Sequence, residues 1–101
     1  MNINGIEFEF DSTDYLHMEK FEQAIDKMGE TEKGLSELKG SAFIKGSVKM
    51  LADFFEDATG VKVLDGVTSY TKAQDCYYQL LDEVKRQKDT ISAKYNPKRL
   101  R

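Results

Sequence analysis

The sequence has one cysteine, one proline and one histidine in 101 residues, and no long apolar run. Cys76, standing alone, excludes an intrachain disulfide framework and fits a reducing compartment. A single proline alongside 33% charged and 40% apolar residues excludes a low-complexity disordered chain. No stretch nears the ~18 consecutive apolar residues that a bilayer-spanning helix needs. The N-terminus has no basic start leading into an apolar segment, so no cleaved secretory signal is expected. What these absences leave is one soluble, α-rich, intracellular domain over residues 1–101, with enough apolar side chains for one modest core.

Charge is split between body and end. Residues 1–84 hold 8 Lys and Arg against 17 Asp and Glu, a net of −9. Residues 85–101 hold Lys85, Arg86, Lys88, Lys94, Lys98, Arg99 and Arg101 against Asp89, a net of +6. The acidic body argues against direct nucleic-acid binding, which draws its affinity from phosphate contacts. The basic end suits an acidic partner or the body of a second copy, or it is a solvated helix terminus favoured by the macrodipole.

The opening MNINGIEFEF predicts a small β-hairpin over residues 1–10. Ile6, Phe8 and Phe10 alternate with Glu7 and Glu9, and Asn4-Gly5 is the dipeptide of a primed turn. Two strands are marginal in water, so their apolar face must rest on the rest of the fold. Asp11, Ser12, Thr13 and Asp14 supply capping groups, and a helix is predicted over 13–28. Its stripe is Tyr15, Met18, Phe21, Ile25 and Met28, with Gly29 as the stop and residues 30–34 as the connection.

A second helix is predicted over 36–59, with the stripe Leu35, Leu38, Ala42, Ile44, Val48, Leu51, Phe54, Phe55 and Ala58. Gly40 and Gly46 interrupt it at about 1 kcal/mol each relative to alanine. The apolar period survives both, which favours a continuous or slightly bent helix; a break near Gly40 is the competing reading. Val61–Leu64 is a possible third strand or a loop anchored by Val63 and Leu64. The last helix, over 69–94, is capped by Ser69 or Thr71. Tyr70, Ala73, Tyr77, Leu80, Leu81, Val84, Ile91 and Tyr95 trace its apolar face. Beyond Lys85 only Ile91 and Tyr95 remain to be buried, so that half projects or rests on a neighbour. Residues 95–101 form a basic tail. The fold class is therefore mainly α (α+β), a small N-terminal hairpin packed on about three helices.

Chemistry is sparse. Cys76 lies beside Asp75, whose carboxylate opposes thiolate formation, and reads as a packed helix residue. His17 lacks partners for a metal site and reads as an exposed helix histidine. The carboxylates spread along amphipathic helices, and the glycines fit no phosphate-loop spacing. No enzyme, cofactor or metal is expected. Phe54-Phe55 and Tyr77-Tyr78 put large rings on adjacent helix positions, about 100° apart. They widen the apolar face and suit either a broad core or association with another chain.

The order of INGIEFEFD, an acidic amphipathic helix, VKMLADFFEDATG, the turn VKVLDG, a long helix and the ending KYNPKRLR resembles short tailed-phage and prophage proteins akin to the tail assembly chaperones of long-tailed phages. The resemblance implies a non-enzymatic morphogenesis protein in the host cell cytoplasm that binds the tape measure protein, or another tail protein, and self-associates. In that reading Phe54, Phe55, Tyr77 and Tyr78 make the apolar contact, and Lys94, Lys98, Arg99 and Arg101 the electrostatic one. Two other classes remain: a small acidic phage inhibitor of a host defence protein, and a structural tail or connector component.

Overall fold

The computed structural model describes residues 1–95, and the side chains of residues 1–91. Two short strands, β1 (Asn2–Ile3) and β2 (Ile6–Glu7), are followed by three helices: α1 (Tyr15–Leu35), α2 (Gly40–Thr59) and α3 (Tyr70–Tyr95). The predicted mainly helical fold with a small hairpin is what the chain adopts.

The strands pair antiparallel with Asn2 opposite Glu7 and Ile3 opposite Ile6. Asn4 and Gly5 turn between them at φ 57° and 74°, the left-handed pair that a primed turn demands. The Asn4 side chain donates to the Val63 carbonyl at 2.8 Å, which pins the turn to a distant loop. Pairing stops at Glu7, short of the predicted Phe10. Phe8 and Phe10 are nevertheless buried, because the chain continues over the helices and lays both rings on the core.

The link to α1 is held locally. Asp11 Oδ1 accepts from the Thr13 amide and hydroxyl, which holds its carboxyl below the ordinary range. The N-cap is Asp14, whose side chain accepts from the Leu16 amide. Its position starts the helix at Tyr15, not Thr13, and leaves Tyr15 exposed and off the predicted stripe. The end of α1 also differs from expectation. The helix runs through Gly29 and Gly34 to Leu35. Met28 packs against the core and Leu35 is buried in it, and that packing offsets the helix cost of glycine.

The connection therefore falls at residues 36–39, and the expected helix over 36–59 begins only at Gly40. Gly40 sits at φ 59°, a conformation costly for any residue with a Cβ, and the chain reverses there. The other interruption is harmless: α2 is continuous through Gly46. A Cβ at that position would stand 2.7 Å from Leu35 Cδ2, so glycine lets the 35–38 segment lie close on α2. The buried face of α2 is rotated from the predicted stripe. Ala42 and Ile44 are exposed, whereas Ser47 and Met50 are buried and Phe43 is half-buried.

Val61–Leu64 is not a third strand. Residues 63–66 form a turn with Val63 and Leu64 almost wholly buried, which is the anchored loop of the alternative reading. Ser69 caps α3, its hydroxyl accepting from the Lys72 amide. The core face of α3 is Ala73, Cys76, Leu80 and Val84. Gln87 closes it, donating to the Phe10 carbonyl and accepting from the Ser12 amide at 2.9 and 2.7 Å. Residues 88–91 are all exposed, as the lack of apolar positions there predicts. α3 is helical as far as Tyr95, the last of the described residues, so the predicted end near Lys94 and the predicted basic tail fall at or outside that limit.

Candidate functional site

The three helices are not packed equally. α1 and α3 each lie against α2, and among the described residues the α1 and α3 backbones do not approach one another. Where they part, α2 is left as the floor of an open groove of about 360 Å³. Helical spacing sets its lining. Met28, Glu32 and Leu35 are one turn apart on α1, Phe43, Ser47 and Met50 on α2, and Tyr70, Gln74 and Tyr77 on α3.

The walls are mostly apolar and partly rigid. Phe43 and Tyr70 meet edge to face at 6.2 Å across the α2–α3 side. Tyr77 stands edge-on to Phe54 at 5.2 Å below the groove and is tilted against Tyr78 at its rim. Such pairs add stability beyond buried area and fix the shape of the wall. Burial, followed by the neighbouring Tyr78 and the Glu32 carboxylate, pushes the Tyr77 hydroxyl above its ordinary pKa. It stays a neutral hydrogen-bonding group.

Among the polar groups of the lining, a buried hydroxyl and a rim carboxylate stand without a partner among the described residues. The Ser47 hydroxyl is buried in the floor without a hydrogen bond. Glu32, exposed at the rim, belongs to none of the ion pairs, although its neighbours Glu30 and Lys33 pair with each other. The groove thus offers a largely apolar floor with the buried Ser47 hydroxyl, the Glu32 carboxylate at its rim, and the Gln74 amide and tyrosine hydroxyls along the α3 wall. Its lining contains no nucleophile with an adjacent base and no converging carboxylates.

The structure separates the predicted contact residues. Phe54 and Phe55 are 1% and 0% exposed and cannot touch a partner. Both rings are enclosed because α2 is covered on two sides. Phe54 packs on Phe21 of α1 and Tyr77 of α3, and Phe55 lies in the same apolar cluster. Tyr77 is half-buried in the groove wall and Tyr78 is 55% exposed at the rim. The side chain of Lys94, together with Lys98, Arg99 and Arg101, lies outside the described residues. The groove residues that sequence reasoning missed are Phe43, Ser47, Met50, Glu32 and Gln74. Phe43 and Met50 were open to detection as large apolar residues seven apart on α2.

Cys76 is buried, as expected of a packed helix residue; burial raises its pKa, as does Asp75, with Lys72 opposing. His17 is half-buried and not an exposed surface residue. Its Nδ1 accepts from the Asp11 amide at 2.9 Å and its ring lies 5.6 Å from Phe10, so it fastens the hairpin to α1. Among the described residues no three His, Cys, Asp or Glu side chains gather as a metal site, and no helix is long and apolar enough to cross a membrane.

Fold and groove together define a small three-helix module with a hairpin cap and an open apolar cleft. Over residues 4–101 the chain matches the model of DUF6673, a family of unknown function, and it belongs to that family. No curated protein and no solved structure matches it significantly.

Proposed function

We propose that the protein is a non-enzymatic binding module of phage tail morphogenesis. In this reading it acts in the host cytoplasm as a tail assembly chaperone does, holding an apolar helical segment of the tape measure protein. The observation that carries the reading is the groove between α1 and α3. A preformed apolar channel floored by a helix suits an amphipathic helix that lays its own apolar stripe inward. The chain-order resemblance to tail assembly chaperones supplies the identity of the client. Tyr77 and Tyr78 keep their proposed contact role. Phe43, Met28 and Met50 take the place of the buried Phe54 and Phe55, and the flexible methionines suit a client with many slightly different turns.

The test is co-expression with the tape measure protein of the same gene cluster. The intact chain is expected to keep that protein soluble. Tyr78→Glu, at an exposed rim position, is expected to return most of it to the insoluble fraction while leaving the helical circular dichroism unchanged. Equal solubilisation by both chains removes the groove from the mechanism. No effect of the intact chain removes the client and favours an acidic inhibitor of a host defence protein, detected by pull-down, or a structural tail component, detected in purified virions.

A further inference from the structure

We infer that the groove of one molecule receives the distal part of α3 from a second molecule, head to tail. Two surfaces of the same chain are each incomplete. The groove holds an apolar floor with an unpaired carboxylate, Glu32, at its rim. The exposed stretch of α3 after Gln87 carries the opposite set: Ile91, 39% exposed, with Lys88 one turn before it. Lys85 and Lys88 enter no ion pair among the described residues, whereas Arg86 is already engaged by Glu83.

The two surfaces cannot meet within one molecule. Ile91 follows Tyr77, which lines the groove, by fourteen residues on the same unbroken helix. That places it about 21 Å further along the axis. A second copy has no such constraint. Charge favours the pairing, since residues 1–84, within which the whole groove lies, are net −9 and the chain from residue 85 is net +6. Complementary potentials of this kind set register and orientation. One apolar anchor and one or two exposed ion pairs make a weak contact, so the assembly forms at high concentration and loosens in salt. Because the donor and acceptor surfaces differ, the contact is heterologous and propagates. It shares the groove with the proposed client but does not rest on the client's identity. A second copy would cover the apolar floor until a tighter-binding helix displaced it.

The experiment is sedimentation velocity of the full chain from about 1 µM to about 1 mM, a range that captures weak association. Average mass is expected to rise with concentration and to fall back when salt is added. Glu32→Lys damages the acceptor and Ile91→Glu the donor; both sites are exposed, and each variant alone is expected to remain monomeric. A mixture of the two is expected to give a one-to-one pair and nothing larger, because one intact groove meets one intact helix end. Lys88→Glu combined with Glu32→Lys in one chain is expected to restore association, which shows that loss in Glu32→Lys is not misfolding, as pairing in the mixture shows for Ile91→Glu. A wild-type chain that stays monomeric throughout overturns the inference, as does association unchanged by Ile91→Glu or a mixture that fails to pair. Solubilisation of the tape measure protein by Ile91→Glu, whose groove is intact, tests the client reading separately.

Discussion

Asn4 shows how much a single residue carries. It occupies the left-handed region at φ 57°, where asparagine is tolerated better than most side chains, and its amide donates to Val63 O. That bond joins the first turn of the chain to the loop that plugs the core with Val63 and Leu64. Asn4→Ala loses the bond and incurs the left-handed penalty, each about 1 kcal/mol. Chemical denaturation is expected to show a loss of about 2 kcal/mol, with Asn4→Gly losing only the bond. Equal stability of Asn4→Ala and wild type would show that the turn is not anchored. Ser47 is the opposite case. Its buried hydroxyl has no partner, so Ser47→Ala is expected to stabilise the protein by about 1 kcal/mol while leaving the groove open.

At the level of elements, the helices end where packing ends. Gly29 was a natural stop by local chemistry, yet α1 continues six residues further to bury Leu35. A Cβ at Gly29 meets nothing within 4 Å. Gly29→Ala is therefore expected to raise stability by about 1 kcal/mol through helix propensity and reduced unfolded-state entropy. Thermal melting would show this as an increase of roughly 4–8 °C; an unchanged or lower midpoint would mean the helix is interrupted there. Gly46 is different in kind, because a side chain there would push into Leu35. The two glycines look alike in sequence and differ only in what faces them.

Across the whole molecule, the N- and C-terminal parts are tied by Gln87. Its amide bridges Phe10 O and the Ser12 amide, residues more than seventy positions away. Gln87→Ala leaves both backbone groups unpaired in a half-buried site, at about 1–3 kcal/mol. Hydrogen exchange is expected to speed up over residues 8–14 and to change little in α2, since the hairpin and its link would loosen from α3 while the α1–α2 contact persists. Uniform acceleration along the chain would instead mean that hairpin and helices unfold as one unit.

By itself the sequence determined what depends on neighbours along the chain. Asn4-Gly5 specified the turn, the alternation of Ile6, Phe8 and Phe10 specified one apolar face, and the 3.6-residue period specified three helices. The scarcity of apolar residues after Lys85 specified the exposed stretch of α3 at residues 88–91. Tertiary structure decided what depends on elements far apart. It carried α1 past Gly29, broke the chain at Gly40 and made Val61–Leu64 a plug. It also enclosed both Phe54 and Phe55 while leaving Tyr78 outside. The groove is the clearest instance. No segment encodes it, because it exists only where α1 and α3 share α2 while their backbones stay apart. A helix period states which side chains share a face; how far a second and third helix cover that face is set by packing among residues that local preference cannot sense.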